Sequence, residues 1–320
     1  MTDYEPLDID ALMAEQEAMS QSDLPEDFRS GFVAIIGKPN VGKSTLLNRM
    51  VGSKVAIISP KPQTTRRRIL GLLTIEQAQL IFVDTPGIHD PHNKLGDYMN
   101  ESARMAIPDA DVVLFMTDVS APMEPLDEAI ARDVLAAEGL HFLVVNKIDL
   151  APQSQTDMRL QRLTALGEWD GIFPISATTG DGVPGLLERI IDALPQGPLY
   201  YPADQLTDQR ERDLAAEIIR EAALRFLDQE VPHAVNVEIE EWTERPNAKS
   251  YIEASIYVER QSQKGIVIGK GGSQLKRIAA AARKELEAVL GMPIYLEVRV
   301  KVRDKWRDSE SWLNRWGYKP

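Results

Sequence analysis

The sequence predicts an α/β domain with a mostly parallel sheet and helices on both faces, followed by a smaller α+β domain. Three observations support this prediction. The apolar residues 32–36 lead through a glycine-rich loop into a helix. Further short apolar strands, each ending in polar residues, follow at residues 80–83 and 141–145. From residue 208 the order becomes helix, strand, strand, helix, helix and strand, which indicates a second domain.

Length and composition fit this division and narrow the class of protein. The 320 residues are enough for about two domains. The absence of cysteine excludes disulfides, thiolate zinc sites and a cysteine nucleophile. The longest apolar runs are far shorter than the roughly 18 residues that a membrane span needs, and no basic, apolar leader opens the chain. We therefore expect a soluble, cytoplasmic protein.

The first loop, residues 37–44, matches the phosphate-binding pattern G-x-x-x-x-G-K-[ST] at every required position. Its glycines allow backbone N–H groups to surround a phosphate, and the following helix adds positive potential at its N-terminus. Lys43 is predicted to reach the β- and γ-phosphates, and the Ser44 hydroxyl to hold Mg²⁺. A chance glycine-rich turn is the alternative, which the flanking strand and helix disfavour. The other predicted nucleotide contacts of this segment are Gly37, Asn40, Val41, Gly42 and Thr45.

Residues 146–149, Asn-Lys-Ile-Asp, favour guanine over adenine as the base. The ionised carboxylate of Asp149 offers two acceptors to the adjacent N1–H and N2–H₂ donors of guanine. Adenine would place an acceptor there, and a buried mismatch of this kind discriminates by about 10⁴-fold or more. Asn146 is predicted to bond the other polar edge of the base and to tie loops together, while the Lys147 stem packs along the purine face. GTP and GDP are the expected ligands.

Two further segments are predicted to complete the phosphate side. Asp84 ends an apolar strand and is expected to orient Mg²⁺ through water. The Gly87 N–H is expected to bond the γ-phosphate and to be released on hydrolysis. Residues 63–66 have no clear period, and Thr65, rather than Thr64, is predicted to close over Mg²⁺ from this loop. The predicted metal ligands are Ser44, Thr65 and Asp84, and the predicted catalytic group is Lys43, Thr65 and Gly87.

A third loop is expected to finish the base pocket. Ser176 and Ala177 follow the short strand at residues 171–174, and their backbone N–H groups are predicted to face the base. Taken alone, the tripeptide Ile175-Ser176-Ala177 carries little information. Its position after a fourth apolar strand is what places it beside the other loops.

The second domain contains a Gly-Lys-Gly-Gly turn at residues 269–272, between two helices. Such a G-x-x-G turn can clamp about four nucleotides of single-stranded RNA, because its backbone comes close to the sugar-phosphate chain. A plain helix–helix turn is the alternative. The surrounding element order and the nearby basic residues favour the clamp. The predicted RNA contacts are Lys264, Ile268, Gly269, Lys270, Gly271, Gly272, Lys276 and Arg277.

These motifs together carry a resemblance to a known family. Residues 31 to about 195 resemble a Ras-like G domain of the translation-factor-related class. With the second domain, the chain resembles the Era family, bacterial Ras-like GTPases that carry a type II K-homology (KH) domain. The resemblance implies a G domain over 31–196, a linker over 197–207, a KH domain over 208–305 and a basic, aromatic tail over 306–320.

The resemblance also implies a function. It predicts GTP hydrolysis, binding of single-stranded small-subunit ribosomal RNA near its 3′ end, and a role in assembly of the small ribosomal subunit by a monomer. Two alternatives stay open at this point. One is a GTP-sensing RNA-binding adaptor in which hydrolysis is incidental. The other is a regulator at the inner face of the membrane, which the basic tail would permit.

One departure from the Ras pattern bears on the mechanism. Ile88 follows Gly87, where Ras has the glutamine that orients the attacking water, so slow intrinsic hydrolysis is expected. In related GTPases the asparagine that matches Asn40 helps to hold K⁺ against the phosphates. Asn40 either does this here or only caps the loop, and the sequence leaves both open.

The two ends of the chain differ in charge from the rest. The net charge is −13, yet Lys and Arg outnumber Asp and Glu by about two to one from Lys264 onward. Residues 1–30 carry many carboxylates against one arginine, and they are predicted to be a disordered or loosely helical extension. Competition with RNA for the basic domain is the alternative role. In the tail, Trp312 and Trp316 are predicted to anchor a short terminal helix rather than to bind RNA.

Overall fold

The computed structural model describes residues 24–245 and 248–318. These residues form two compact units. The first contains the chain up to Ala56 together with Thr65–Asp90 and Met99–Asp208. The second contains Ile57–Thr64, Pro91–Tyr98 and the chain from Gln209 onward. Residues 1–23, where most of the predicted acidic extension falls, lie outside the described residues.

The first unit is built on a six-stranded sheet in the order β2-β3-β1-β4-β5-β6. Only β2 is antiparallel, to β3, so the predicted mostly parallel sheet is confirmed. The strands are β1 (Arg29–Ile36), β2 (Ile69–Ile75), β3 (Ala78–Asp84), β4 (Val112–Asp118), β5 (Leu140–Asn146) and β6 (Gly171–Pro174). Because β1 begins at Arg29, the predicted extension over residues 1–30 reaches too far into the chain.

The sheet carries one apolar core on each face. One core includes Val33, Leu46 and Phe82, and the other includes Ala34, Phe115 and Leu143. Adjacent strand residues point to opposite faces, so a central parallel strand that is covered on both faces is apolar along its buried stretch, as β1 is over residues 32–36. The helices of this part of the chain are α1 (Lys43–Val51), α2 (Lys94–Arg104), α3 (Pro125–Leu135), α4 (Gln153–Thr164) and α5 (Val183–Ala193).

The predicted linker, residues 197–207, packs as part of the first unit. The Gln79 side chain accepts the backbone N–H groups of Tyr200 and Tyr201 at 2.8 and 3.0 Å. The N–H of Leu72, on β2, donates to the Leu206 carbonyl at 2.9 Å. These hydrogen bonds attach the segment to β2 and β3, although its prolines and glycine had indicated a linker.

The second unit has a three-stranded sheet in which β8 pairs antiparallel with β7 and parallel with β9. Its core includes Ile218 and Ile256, and it is separate from the two cores of the first unit. The elements follow the order predicted for the second domain, with one additional short helix, Val231–Ala234, before the first strand. The elements are α6 (Glu211–Phe226), α7 (Val231–Ala234), β7 (Asn236–Thr243), β8 (Ser250–Val258), α8 (Gln261–Ile268), α9 (Ser273–Leu290), β9 (Ile294–Val302) and α10 (Glu310–Arg315).

The segment Ile57–Thr64 is held by α6 and the residues just after it. The Ile58 N–H donates to Glu221 at 3.0 Å, and the Lys61 ammonium contacts Asp228 at 2.7 Å. The fully buried Arg220 donates to the Thr64 carbonyl. A stretch that precedes β2 in the sequence is therefore an integral part of the second unit.

Aromatic residues at the end of the chain are packed within the second unit. Trp306 is fully buried, and its indole N–H donates to the Ala234 carbonyl at 2.9 Å. Trp316 is 5% exposed, and its ring lies 5.0 Å from that of Tyr257. The predicted anchoring role of Trp316 is thereby confirmed. Across residues 24–245 and 248–318, no helix combines the length and apolar character that a bilayer span requires.

Candidate nucleotide site and RNA interface

Lys43 lies at the start of α1, enclosed by the loop that precedes it. Its ammonium donates to the carbonyls of Gly37 at 3.1 Å and Lys38 at 2.8 Å. Burial lowers the pKa of Lys43 to about 8, while the nearby charge of Asp84 acts to raise it. A buried ammonium of this kind gains free energy from an anion placed in the loop, as the phosphate-binding motif predicts.

Three side-chain oxygens meet beside Lys43, as the sequence predicted. The Ser44 hydroxyl donates to Asp84 Oδ2 at 2.6 Å and lies 2.8 Å from the Thr65 hydroxyl, which is 3.4 Å from the same carboxylate oxygen. Thr64 is elsewhere, because its hydroxyl donates to the Lys61 carbonyl at 2.6 Å. The structure therefore brings Thr65, the threonine preferred from the sequence, into this cluster.

The chemistry of the oxygen cluster fits Mg²⁺. Asp84 Oδ1 is buried and has no hydrogen-bond partner among the described residues. Burial raises the pKa of Asp84, although Lys43 and the two hydroxyl groups act to lower it. A carboxylate and two hydroxyls are the hard oxygen ligands that Mg²⁺ prefers, and a cation would satisfy the remaining carboxylate oxygen.

The Asn146 side chain ties two loops together. Its amide N–H donates to the Val41 carbonyl at 2.7 Å, and its amide oxygen accepts the Ala177 N–H at 2.8 Å. The Ser176 N–H donates to the Asp181 carbonyl at 2.9 Å. The expectation that the Ser176 and Ala177 N–H groups face the base therefore differs from the structure, because both already donate within the protein. These two residues shape the pocket rather than line it with donors.

The other two residues of the base motif differ in their surroundings. Lys147 has a left-handed φ of 67°, and its ammonium contacts Asp118 at 2.5 Å. Asp149 is exposed, and among the described residues its carboxylate has no hydrogen-bond partner. That carboxylate is therefore available to a ligand. Asp118 was missed from the sequence, where its only signal was a carboxylate at the end of an apolar strand.

Gly87 and Ile88 pass directly under the phosphate loop. A Cβ on Gly87 would lie 2.4 Å from the Pro39 nitrogen, so only glycine fits this close approach. The Ile88 N–H donates to the Gly37 carbonyl at 3.2 Å, and its side chain is buried in the apolar core. Ile88 is thus a core residue, which explains physically why it cannot orient a water molecule. Asn40 lies in the exposed part of the loop with a φ of 63°.

The Gly-Lys-Gly-Gly turn connects α8 to α9 with an open backbone. Gly269, Gly271 and Gly272 have φ values of 72°, 59° and 78°, which residues with a Cβ rarely adopt. A Cβ on Gly271 or Gly272 would meet nothing within 4 Å, so this backbone is accessible to a ligand. Gly269 differs, because a Cβ there would lie 2.6 Å from that of Gln274, so this glycine lets the turn approach α9 closely while Gly271 and Gly272 expose main chain.

The side chains around this turn combine charge with exposed apolar surface. Lys270, Lys276 and Arg277 are exposed, and the Arg277 guanidinium lies 4.7 Å from the centre of the Phe226 ring. Lys264 is half-buried, and so is Ile268, which packs against the core of the second unit. Ile266 of α8 is 51% exposed, and it was not among the predicted RNA contacts.

Comparisons with known proteins find one family match in the first part of the chain and another in the second part. The family described as 50S ribosome-binding GTPase matches residues 32–147, and the KH domain family matches residues 230–307. GTPase Era of Carboxydothermus hydrogenoformans is 44% identical over 292 residues, which is 91% of this chain and 98% of that protein. GTPase Era of Lactobacillus helveticus is 47% identical over 293 residues, covering 92% of this chain and 97% of that one.

Solved structures agree with this assignment. A variant of Aquifex aeolicus Era bound to GDP·AlF₄⁻ has a TM-score of 0.86 and 41% identity, and the match covers 92% of this chain and 100% of that one. The same values hold for a structure of Era in complex with MgGDPNP and nucleotides 1506–1542 of 16S ribosomal RNA. Identity at this level over nearly the whole length carries the assignment, and the chain belongs to the GTPase Era family.

Proposed function

We propose that this GTPase binds GTP and GDP with Mg²⁺, and that it binds single-stranded small-subunit ribosomal RNA near the 3′ end during assembly of the small ribosomal subunit. The meeting of Ser44, Thr65 and Asp84 beside Lys43 is the observation that carries the nucleotide half. The open turn at residues 269–272 supports the RNA half. Both halves agree with the solved Era complex that contains MgGDPNP and 16S ribosomal RNA.

The chain's own groups account for the chemistry as follows. Lys43 stabilises the charge that develops on the phosphate oxygens as water attacks the γ-phosphate. Ser44, Thr65 and Asp84 would hold Mg²⁺, which neutralises phosphate charge when bound. Gly87 allows the chain to approach the γ-phosphate, and Asp149 selects guanine through its two acceptor oxygens. The charge on Lys43 and the metal supply electrostatic stabilisation that water alone cannot provide.

The RNA half can be tested with two lysines of the same helix. Lys276 lies in the first turn of α9 near the glycine turn, whereas Lys284, also exposed, lies further along it. Lys276→Glu should weaken binding of a labelled 3′-terminal small-subunit rRNA oligonucleotide by about tenfold at low salt, because it replaces a phosphate contact with repulsion. Fluorescence anisotropy in the presence of a non-hydrolysable GTP analogue measures this. Lys284→Glu is the control, and equal losses in both variants would contradict an RNA interface at the turn.

We also propose that K⁺ assists hydrolysis through Asn40. Two observations support this: Ile88 is buried in the core, and Asn40 lies in the exposed part of the phosphate loop. A monovalent cation near the bridging phosphate oxygens would supply the positive charge that an arginine finger supplies in other GTPases. In those proteins the arginine raises the rate of hydrolysis by about 10³-fold or more. Hydrolysis should rise when K⁺ replaces Na⁺ at constant ionic strength, and Asn40→Ala should remove the difference. Asn314→Ala, on an exposed asparagine, is the control, and equal rates in the two salts would leave Asn40 as a loop cap.

A further inference from the structure

The Lys147 side chain is held by a carboxylate from a different strand of the sheet. Its φ of 67° is unfavourable for a residue with a Cβ. Its four-carbon stem is flexible, so without a partner the ammonium would sample many rotamers. The structure gives it one carboxylate, Asp118, whose Oδ2 lies 2.5 Å from the ammonium. The Asp118 side chain is 12% exposed and that of Lys147 is 27% exposed, so the pair is partly shielded from water.

Asp118 is itself oriented by the end of its strand. It is the last residue of β4, and in the sheet register it lies opposite Asn146 on β5. Its Oδ1 accepts the N–H and the hydroxyl of Ser120 at 2.8 and 2.6 Å. The next residue, Val119, donates its N–H to the Asn146 carbonyl at 3.0 Å. One carboxylate oxygen is thus committed to the strand end, which leaves the other directed at Lys147.

A buried arginine fixes the segment on both sides of Asp118. Arg159 of α4 donates to the Thr117 hydroxyl at 2.8 Å and to the Ala121 carbonyl at 2.5 Å. Burial lowers the pKa of Arg159, while the charges of Asp127 and Asp118 act to raise it. Residues 117–121 therefore form a braced turn, and Asp118 is held in place before any ligand arrives.

We propose that Asp118 is a positioning residue for the guanine nucleotide, which holds the Lys147 stem across the purine face and so sets the residence time of the nucleotide. This inference rests on the guanine pocket proposed above. The benefit is preorganisation, because rotamer freedom of Lys147 is removed before binding. Because the stem is proposed to contact the base, which GTP and GDP share, the two nucleotides should be affected alike.

The test is a double-mutant cycle on nucleotide dissociation. The release of methylanthraniloyl-GDP, followed by fluorescence after addition of excess GDP, is measured for the wild type, Asp118→Asn, Lys147→Met and the double variant. Asp118→Asn should raise the dissociation rate by about five- to tenfold, as expected for loss of a partly shielded charged hydrogen bond. In the Lys147→Met background the same substitution should have no further effect. Asp133→Asn, which removes an exposed carboxylate 3.5 Å from Arg104, should release nucleotide at the wild-type rate.

Two results would overturn the proposal: an unchanged rate in Asp118→Asn, or an equal increase with and without the Lys147 ammonium. The second result would mean that Asp118 only stabilises the strand end. Should Asp118→Asn fail to fold, Ser120→Ala removes one hydrogen bond to the carboxylate, and its smaller increase should also vanish in Lys147→Met. A separate measurement tests the guanine pocket itself. If the wild-type protein binds methylanthraniloyl-ADP as tightly as methylanthraniloyl-GDP, the proposed pocket is wrong.

Discussion

The Asp149 carboxylate is presented to solvent by a loop that is fixed on both sides. The Ile148 N–H donates to the Ile175 carbonyl at 3.3 Å, and the Leu150 N–H donates to the Lys147 carbonyl at 3.0 Å. The backbone around Asp149 is thus committed, while its side chain is exposed. A group held in this way can select a ligand at little ordering cost, because the loop need not rearrange on binding.

We expect Asp149→Asn to exchange guanine for xanthine nucleotides. The asparagine offers one acceptor and one donor, which suits the carbonyl at position 2 of xanthine and repels the guanine N2–H₂ group. Competition of GTP and XTP for the variant measures the exchange, with a preference that shifts by about 10²-fold or more. Asp157→Asn, an exposed carboxylate on α4, should keep the wild-type preference. A variant that still prefers GTP would contradict the role of Asp149.

The residues of the site divide by how local their signals are. Lys43, Ser44 and Asp149 were predictable because each belongs to a short continuous motif that follows an apolar strand. Asp118 was not, because its role depends on the register of β4 with β5. The Ala177 N–H is likewise engaged by Asn146 of a neighbouring loop, and the Ser176 N–H by Asp181 further along its own loop, so the sequence at 175–177 alone could not show either contact.

At the scale of elements, the phosphate loop encloses the ammonium group of Lys43. It directs two carbonyls at Lys43, and burial lowers the pKa of that ammonium to about 8. The phosphates of a nucleotide would raise this pKa again, because opposite charge favours the protonated form. Nucleotide binding is therefore linked to the proton on Lys43.

We expect the affinity for GDP to fall as the pH rises through about 8. Below this pH Lys43 is already protonated in the free protein, whereas above it binding must take up a proton. The limit is about tenfold per pH unit. Titration calorimetry between pH 7 and about 9 in two buffers would show both the loss of affinity and the proton uptake. Lys43→Arg, which cannot titrate in this range, should give a flat profile, and a flat wild-type profile would contradict the linkage.

Elements were predictable where one physical signal dominated. The apolar runs at residues 32–36, 80–83 and 141–145 predicted β1, β3 and β5, because both faces of the sheet are covered. Strand β4 was not predicted, although residues 112–116 are also an apolar run. The segment at residues 197–207 was not, since its prolines and glycine indicate a connection, whereas Gln79 binds it to the sheet. Hydrogen bonds from Gln79 and from the backbone of β2 to this segment overrode the local signal there.

At the scale of the whole molecule, charge is distributed unevenly. The chain carries −13 overall, yet basic side chains gather around the glycine turn of the second unit. Screening limits electrostatic range to about 10 Å, so an RNA strand at the turn responds to the nearby cations rather than to the total.

We expect the logarithm of the RNA association constant to fall linearly with the logarithm of salt, with a slope of about −3. Each phosphate contact to a single strand contributes about −0.7, and four cations surround the turn: Lys264, Lys270, Lys276 and Arg277. Anisotropy titrations over a range of KCl concentrations measure the slope. Lys276→Ala should reduce its magnitude by about 0.7, whereas Lys284→Ala should leave it unchanged. A slope near zero would contradict cation–phosphate contacts at the turn.

The held segment Ile57–Thr64 makes the second unit discontinuous in sequence. Together with Pro91–Tyr98, it is encoded within the stretch that otherwise builds the first unit. A gene fragment that begins at residue 209 would encode a unit lacking two of its own pieces and would leave Arg220 without its carbonyl partner. Neither unit can then be exchanged between genes as a single cassette. Inheritance should keep the two together, and fusions or truncations should preserve the whole span from the first strand onward.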